Sequence, residues 1–142
     1  MEVFDTATAK VSQTFDLPEP MMDVQSFISG GTLYIVGGTT YNGYSRSVYA
    51  RVDDMWKPKA RMPYESEYIR GKGYNNDFVC AAVNKKGNVD ILKYVTDTKS
   101  WKIITSNYIN DLIYYGFDIM DNHIYLTGGY SYDSREVSDK TY

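Results

Sequence analysis

One cysteine and one histidine in 142 residues leave no internal disulfide and no Cys/His cluster of the kind that holds structural zinc. Long hydrophobic runs are missing too. The longest, Phe78 to Val83, falls far short of the roughly 20 residues that span a bilayer, so no membrane-crossing helix is expected. Nor does one charge sign dominate: 15 Lys plus Arg against 18 Asp plus Glu give −3. Counterion release from nucleic acid would therefore drive binding weakly, and nucleic acid is not an expected partner. The N-terminus, Met1-Glu2-Val3-Phe4-Asp5, is acidic where a secretory leader is basic and apolar, and no Asn-x-Ser/Thr sequon occurs. A reducing, cytoplasmic setting is the expectation.

What is present is aromatic. Tyrosine alone accounts for 15 residues, and aromatic positions recur at a fixed interval. Phe4, Tyr49 and Tyr94 are spaced by 45 residues, as are Val11, Trp56 and Trp101. Leu17-Pro18 returns as Met62-Pro63 at the same interval. Leu33-Tyr34-Ile35-Val36-Gly37-Gly38 returns as Ile124-Tyr125-Leu126-Thr127-Gly128-Gly129 after 91 residues, with Phe78 to Val83 between them, its glycines lost. A period of this size marks a stacked repeat architecture.

Each unit holds short segments rich in aromatic and β-branched residues, punctuated by Gly, Asn and Asp, which predicts an all-β fold. First strands such as Leu112 to Met120 meet turns at Gly30-Gly31-Thr32, Asn75-Asn76-Asp77 and Asp121-Asn122-His123. The second strand, Leu33 to Val36, is continuously apolar and so is expected to be buried on both faces. Third strands fall at Val48 to Val52 and Val89 to Val95, and fourth strands at Trp56 to Ala60 and Trp101 to Thr105.

Four strands per unit, a Gly-Gly doublet after the second, an aromatic on the third and a Trp opening the fourth resemble the kelch repeats of a β-propeller. The resemblance covers nearly the whole chain: a partial blade at 1–17, kelch repeats at 18–63 and 64–108, and a partial repeat at 109–142. Gly37, Gly38, Tyr49, Trp56, Tyr94, Trp101, Gly128 and Gly129 are the repeat residues that carry it. Val11 in place of Trp and Ala81 to Val83 in place of the doublet depart from the pattern, and those blades are expected to pack less tightly. About three blades' worth of strands cannot close a ring of four to eight, so the chain reads as a piece of a larger propeller, most simply a truncated product. Open sheet edges would then invite self-association.

The tyrosine-rich, leucine-poor composition is similar to that of poxvirus kelch proteins. In that family the intact protein is a BTB-kelch adaptor, whose BTB domain engages a cullin ubiquitin ligase while the propeller captures substrate. The resemblance implies a non-enzymatic protein-interaction module in the host cytoplasm, or a truncated remnant of one, without cofactor or metal. Its partner would be a protein or peptide.

Alternating strand direction puts the loops between second and third strands on the same face as the loops between blades. Those loops carry Tyr41, Tyr44, Arg46, Tyr64, Tyr68, Tyr130, Tyr132 and Arg135, residue types that dominate interface hot spots. The alternative function is a propeller enzyme resembling a glycoside hydrolase, using the near pairs Asp53-Asp54, Glu65 and Glu67, or Asp118 and Asp121. Asp in such turns more commonly satisfies local backbone donors. No phosphate-loop order surrounds Gly71-Lys72-Gly73. Cys80 sits in an apolar strand and is expected to be inert. His123 stands in a turn without the second ligand that a metal site requires, and as the only base for a Ser/His/Asp triad it falls on the face opposite the candidate loops.

Overall fold

A computed structural model describes all 142 residues as strands and turns without a helix, so none is long or apolar enough to cross a membrane. The all-β expectation holds. A first hairpin pairs β1 (Glu2–Asp5) with β2 (Lys10–Thr14). An antiparallel sheet follows, built from β3 (Gln25–Ser29) and β4 (Thr32–Val36) and completed after a small hairpin, β5 (Thr39–Thr40) and β6 (Gly43–Tyr44), by β7 (Val48–Val52) and β8 (Met55–Pro58). A second four-stranded sheet comprises β9 (Ile69–Tyr74), β10 (Asp77–Val83), β11 (Val89–Val95) and β12 (Ser100–Ile109). The chain ends with two hairpins, β13 (Gly116–Met120) with β14 (His123–Thr127), and β15 (Tyr130–Ser131) with β16 (Glu136–Val137). No sheet closes on itself.

Residue choice explains the turns. Gly30-Gly31, Asp53-Asp54, Asn75-Asn76 and Asp121-Asn122 each connect paired strands with two residues of positive φ. That is the type I′ geometry whose twist matches a hairpin, and Gly, Asn and Asp tolerate it best. The tips interlock between sheets. Ser29 Oγ donates to the Asn76 carbonyl, and Tyr74, 45 positions after Ser29, donates its phenol to Asn122 Oδ1.

The sheets stack face to face with β3 beside β9 and β9 beside β13. At Gly73 an added Cβ would lie 3.2 Å from the Ile28 carbonyl oxygen, so the small residue permits this approach of β9 to β3. Two apolar layers result. Phe27, Tyr34, Val36, Val48 and Ala50 of the first sheet pack on Phe78, Cys80, Ala82, Leu92 and Tyr94 of the second. The opposite face of the second sheet, with Val79, Ala81, Val83, Val89 and Ile91, packs on Leu112, Ile113, Tyr115 and Leu126. β10 reads as an unbroken apolar run because consecutive residues serve these two different layers. Phe27 stacks on Phe78 at 4.6 Å between ring centres, joining the first sheet to the second.

Three expectations change. The strand foreseen at Leu112 to Met120 is confined to Gly116–Met120, because Asp111 and Tyr114 take positive φ and Ile113 instead bridges Tyr130. The fourth strand at Trp101 begins one residue earlier and runs on to Ile109, which pairs with Val89, whereas the one at Trp56 runs from Met55 to Pro58, followed by one further backbone hydrogen bond from Lys59 to the Val48 carbonyl. Looser packing at Ala81 to Val83 is not found: Ala81 and Ala82 are fully buried and Val83 nearly so. β10 runs to seven residues, against five in β4, and serves both layers.

Gly37-Gly38 and Gly128-Gly129 have positive φ and admit an incoming backbone segment. A Cβ on Gly38 would stand 2.8 Å from the Met22 carbonyl oxygen, and one on Gly129 would stand 2.9 Å from that of Ile113. Met22 and Thr39 exchange backbone hydrogen bonds, as do Ile113 and Tyr130, 91 residues later.

Candidate functional site

These backbone bridges fasten each segment between sheets to the loop between second and third strands. The two loop classes therefore gather at one end of the stack, away from the type I′ tips of β3–β4, β9–β10 and β13–β14. Asp90, buried at 4% exposure, organises part of that end by accepting from the Tyr64 phenol at 2.8 Å, Asn84 Nδ2 at 2.9 Å and the Asn107 N–H at 2.8 Å. Three donors satisfy a carboxylate that would be costly to bury alone. Asp111 plays a similar part near the C-terminus, accepting from the Ser131 hydroxyl and, at 2.7 Å, from the Asp133 N–H. Burial pushes the Asp111 carboxyl up, but these donors outweigh it and hold the group below its ordinary value.

The candidate loop residues divide by environment. Tyr68 is a correction: it is 5% exposed, stands edge-on to Tyr115 and donates to the Tyr115 carbonyl, so it belongs to the core. The strand-flanking position that looks like a loop in sequence is drawn inward by apolar neighbours on the next sheet. Tyr64 is half-buried against the first core layer, its phenol committed to Asp90. Burial first, then that hydrogen bond, pushes its pKa up. Tyr130 is also half-buried, packed on the second layer. Tyr41, Tyr44, Arg46, Tyr132 and Arg135 are exposed. Tyr41 borders a shallow groove with Met21, Met22 and Pro20, while Arg46 contributes its carbonyl to the Met62 N–H.

Tyr44 and Tyr132 converge on a residue noted in sequence only as half of a carboxylate pair. Tyr132 donates to Glu67 Oε1 at 3.4 Å, and the Glu67 charge raises the Tyr132 pKa. The Tyr44 phenol is raised by burial first and then by Glu67. Tyr114 completes the group. Its ring stands edge-on to Tyr68 at 5.4 Å, it is 66% exposed, and its φ of 56° is unusual for tyrosine. Asp23, 91 residues earlier, takes φ 54°, so this conformation belongs to the repeat and swings the Tyr114 side chain outward. Sequence reasoning placed Tyr114 inside a strand and missed it; its alignment with Asp23 was the signal available.

A cavity of about 240 Å³ opens here, lined by Met22, Tyr44, Glu67, Tyr68, Ile113 and Tyr114 among others. Two of its lining residues are engaged by Arg70, which pairs with Asp23 at 3.1 Å and lies 4.2 Å from the centre of the Tyr68 ring. Three successive units thus contribute side chains to one concavity of aromatic rings and a carboxylate.

The other acidic pairs are otherwise engaged. Asp54 pairs with Arg51 at 3.3 Å, Asp53 with Lys57 at 3.6 Å and Glu65 with Lys85 at 4.0 Å. Asp118 accepts from Lys72 Nζ at 2.7 Å, which holds its carboxyl below the ordinary value, opposite to what a general acid needs. His123 Nδ1 lies 2.7 Å from the Asp121 carbonyl in its own turn. Cys80 is fully buried, and burial pushes its thiol pKa far up, away from the reactive thiolate. No protein-family model matches the chain, and no curated protein matches it.

Proposed function

We propose that this chain is a piece of a kelch-type β-propeller, three radial units of a larger ring, that works as a non-enzymatic module for binding a protein or peptide. The convergence of Tyr44, Glu67, Tyr114 and Tyr132 from successive units onto one concavity carries the reading. Stacked sheets with adjoining first strands, and indoles repeating at 45-residue spacing, support the propeller assignment. Exposed tyrosines on rigid backbone offer large contact area at small entropic cost. In this reading the concavity has the place of the substrate-capturing face of a BTB-kelch adaptor.

Selection of random displayed peptides on the immobilised chain tests it. Selected peptides are expected to bind a Tyr44→Ala, Tyr132→Ala variant about tenfold more weakly, since two hot-spot rings are lost, while a His123→Ala variant at the opposite end binds them as the parent does. Circular dichroism confirms that each variant stays folded. Equal binding of the peptides to the double variant would reject the face.

A further inference from the structure

Within the concavity one set of partners is complete and another lacks its cation. The Arg70 guanidinium lies over the Tyr68 ring and pairs with Asp23, two residues of the lining, so those two charges cancel. Glu67 lines the same cavity as Tyr44 and Tyr114 and accepts from the Tyr132 phenol, yet no Lys, Arg or His nitrogen lies within 4.0 Å of its carboxylate. All three phenol rings are substantially exposed, at 48%, 66% and 50%. A carboxylate flanked by tyrosine rings attracts a cation twice, through its charge and through the negative ring faces.

Resting on the reading of this face as a binding surface, we propose that Glu67, with Tyr44, Tyr114 and Tyr132, receives an arginine side chain of the partner. A planar guanidinium suits the site better than an ammonium because it can lie on a tyrosine ring while two N–H groups meet the carboxylate. The Arg70, Tyr68 and Asp23 set shows the same chemistry in place at the same cavity.

The probe is a short blocked peptide, acetyl-Gly-Gly-Arg-Gly-Gly-amide, titrated into the full chain and followed by amide NMR shifts. Its control replaces arginine with citrulline, which keeps the shape and removes the charge. The arginine peptide is expected to shift the amides of Glu67, Tyr114 and Tyr132 at millimolar concentration, with citrulline at least about tenfold weaker. Glu67→Gln should weaken the arginine peptide about tenfold as well; Tyr114→Phe should retain binding and Tyr114→Ala should lose it. Citrulline binding as tightly as arginine, or an unchanged affinity in Glu67→Gln, would overturn the assignment. Display-selected peptides that lose binding to the Tyr44→Ala, Tyr132→Ala variant but not to Glu67→Gln would leave the face standing and remove only the arginine. Peptides indifferent to both would remove the face itself.

Discussion

Trp101 donates its indole N–H to the carbonyl of Ala60 at 2.9 Å, reaching from the second sheet back to the segment that leaves the first. Trp56 does the same one unit earlier, donating to Asp16 at 2.8 Å. The aromatic interval in the sequence is therefore a structural interval, each indole tying its sheet to the preceding unit. Around them the units differ. Trp101 lies opposite Tyr94 with ring centres 5.3 Å apart, whereas the tighter Asp53-Asp54 turn sets Trp56 opposite Arg51, whose guanidinium sits 3.8 Å from the Phe15 ring. A slip of two residues keeps the indole on the same face.

Replacing Trp101 with Phe should cost about 1 kcal/mol, the worth of the lost hydrogen bond, because the ring still covers Tyr94 and Phe78. Trp101→Ala should cost about 3 kcal/mol. Urea denaturation followed by far-ultraviolet circular dichroism measures both; no loss in Trp101→Phe would show that the hydrogen bond contributes nothing, and equal losses would show that the ring's packing contributes nothing.

The glycines of the doublets should be far more sensitive than those of the hairpin tips. Gly38→Ala meets both a positive φ and the Met22 carbonyl, and is expected to cost about 3 kcal/mol. Gly31→Ala meets only the positive φ, with nothing within 4 Å, and should cost about 1 kcal/mol. Similar denaturation midpoints for the two variants would contradict the close approach.

Periodicity made the sheets legible because strands, turns and core layers all repeat with the chain. Gly-Gly, Asn-Asn and Asp-Asn announced the I′ turns directly, and the unbroken Leu33 to Val36 run announced a strand whose successive residues Tyr34, Ile35 and Val36 are all buried. The binding concavity was legible only in part. Tyr44 and Tyr132 stood in the right loops, but Tyr68 was assigned outward when Tyr115 and Arg70 draw it in, and Tyr114 was hidden in an apolar stretch. Whether a tyrosine between sheets points inward depends on one backbone dihedral, and for Tyr114 only the 91-residue alignment with Asp23, a residue type that tolerates positive φ, carried a trace of it.

Acid should destabilise the second sheet. Burial pushes the Asp77 carboxyl up, but the Lys93 ammonium at 2.8 Å and the Thr96 N–H outweigh it and hold the group below its ordinary 3.8. A depressed carboxyl contributes stability that is complete above the unfolded value and disappears as pH falls through the folded one. The urea midpoint is therefore expected to hold at about pH 6 and drop below about pH 4, and Asp77→Asn should narrow that drop. An unchanged pH profile in the variant would rule out this contribution.

β12 leaves a ten-residue edge with Ile103, Ile104 and Tyr108 each about half exposed. Such an edge can pair with another chain. Sedimentation velocity should show association rising with concentration, and Ile104→Lys should reduce it by placing a charge at the edge. Equal association in the variant would locate the contact elsewhere.

Loops from successive units meet at Glu67, and the phenol pKa of Tyr132 reports that meeting. Titration followed by the tyrosine Cζ resonance should place Tyr132 above its ordinary value of 10.0 in the parent chain and lower it in Glu67→Gln, because the carboxylate charge is the leading cause of the rise. The same Tyr132 pKa with and without that charge would mean that the two loops do not meet.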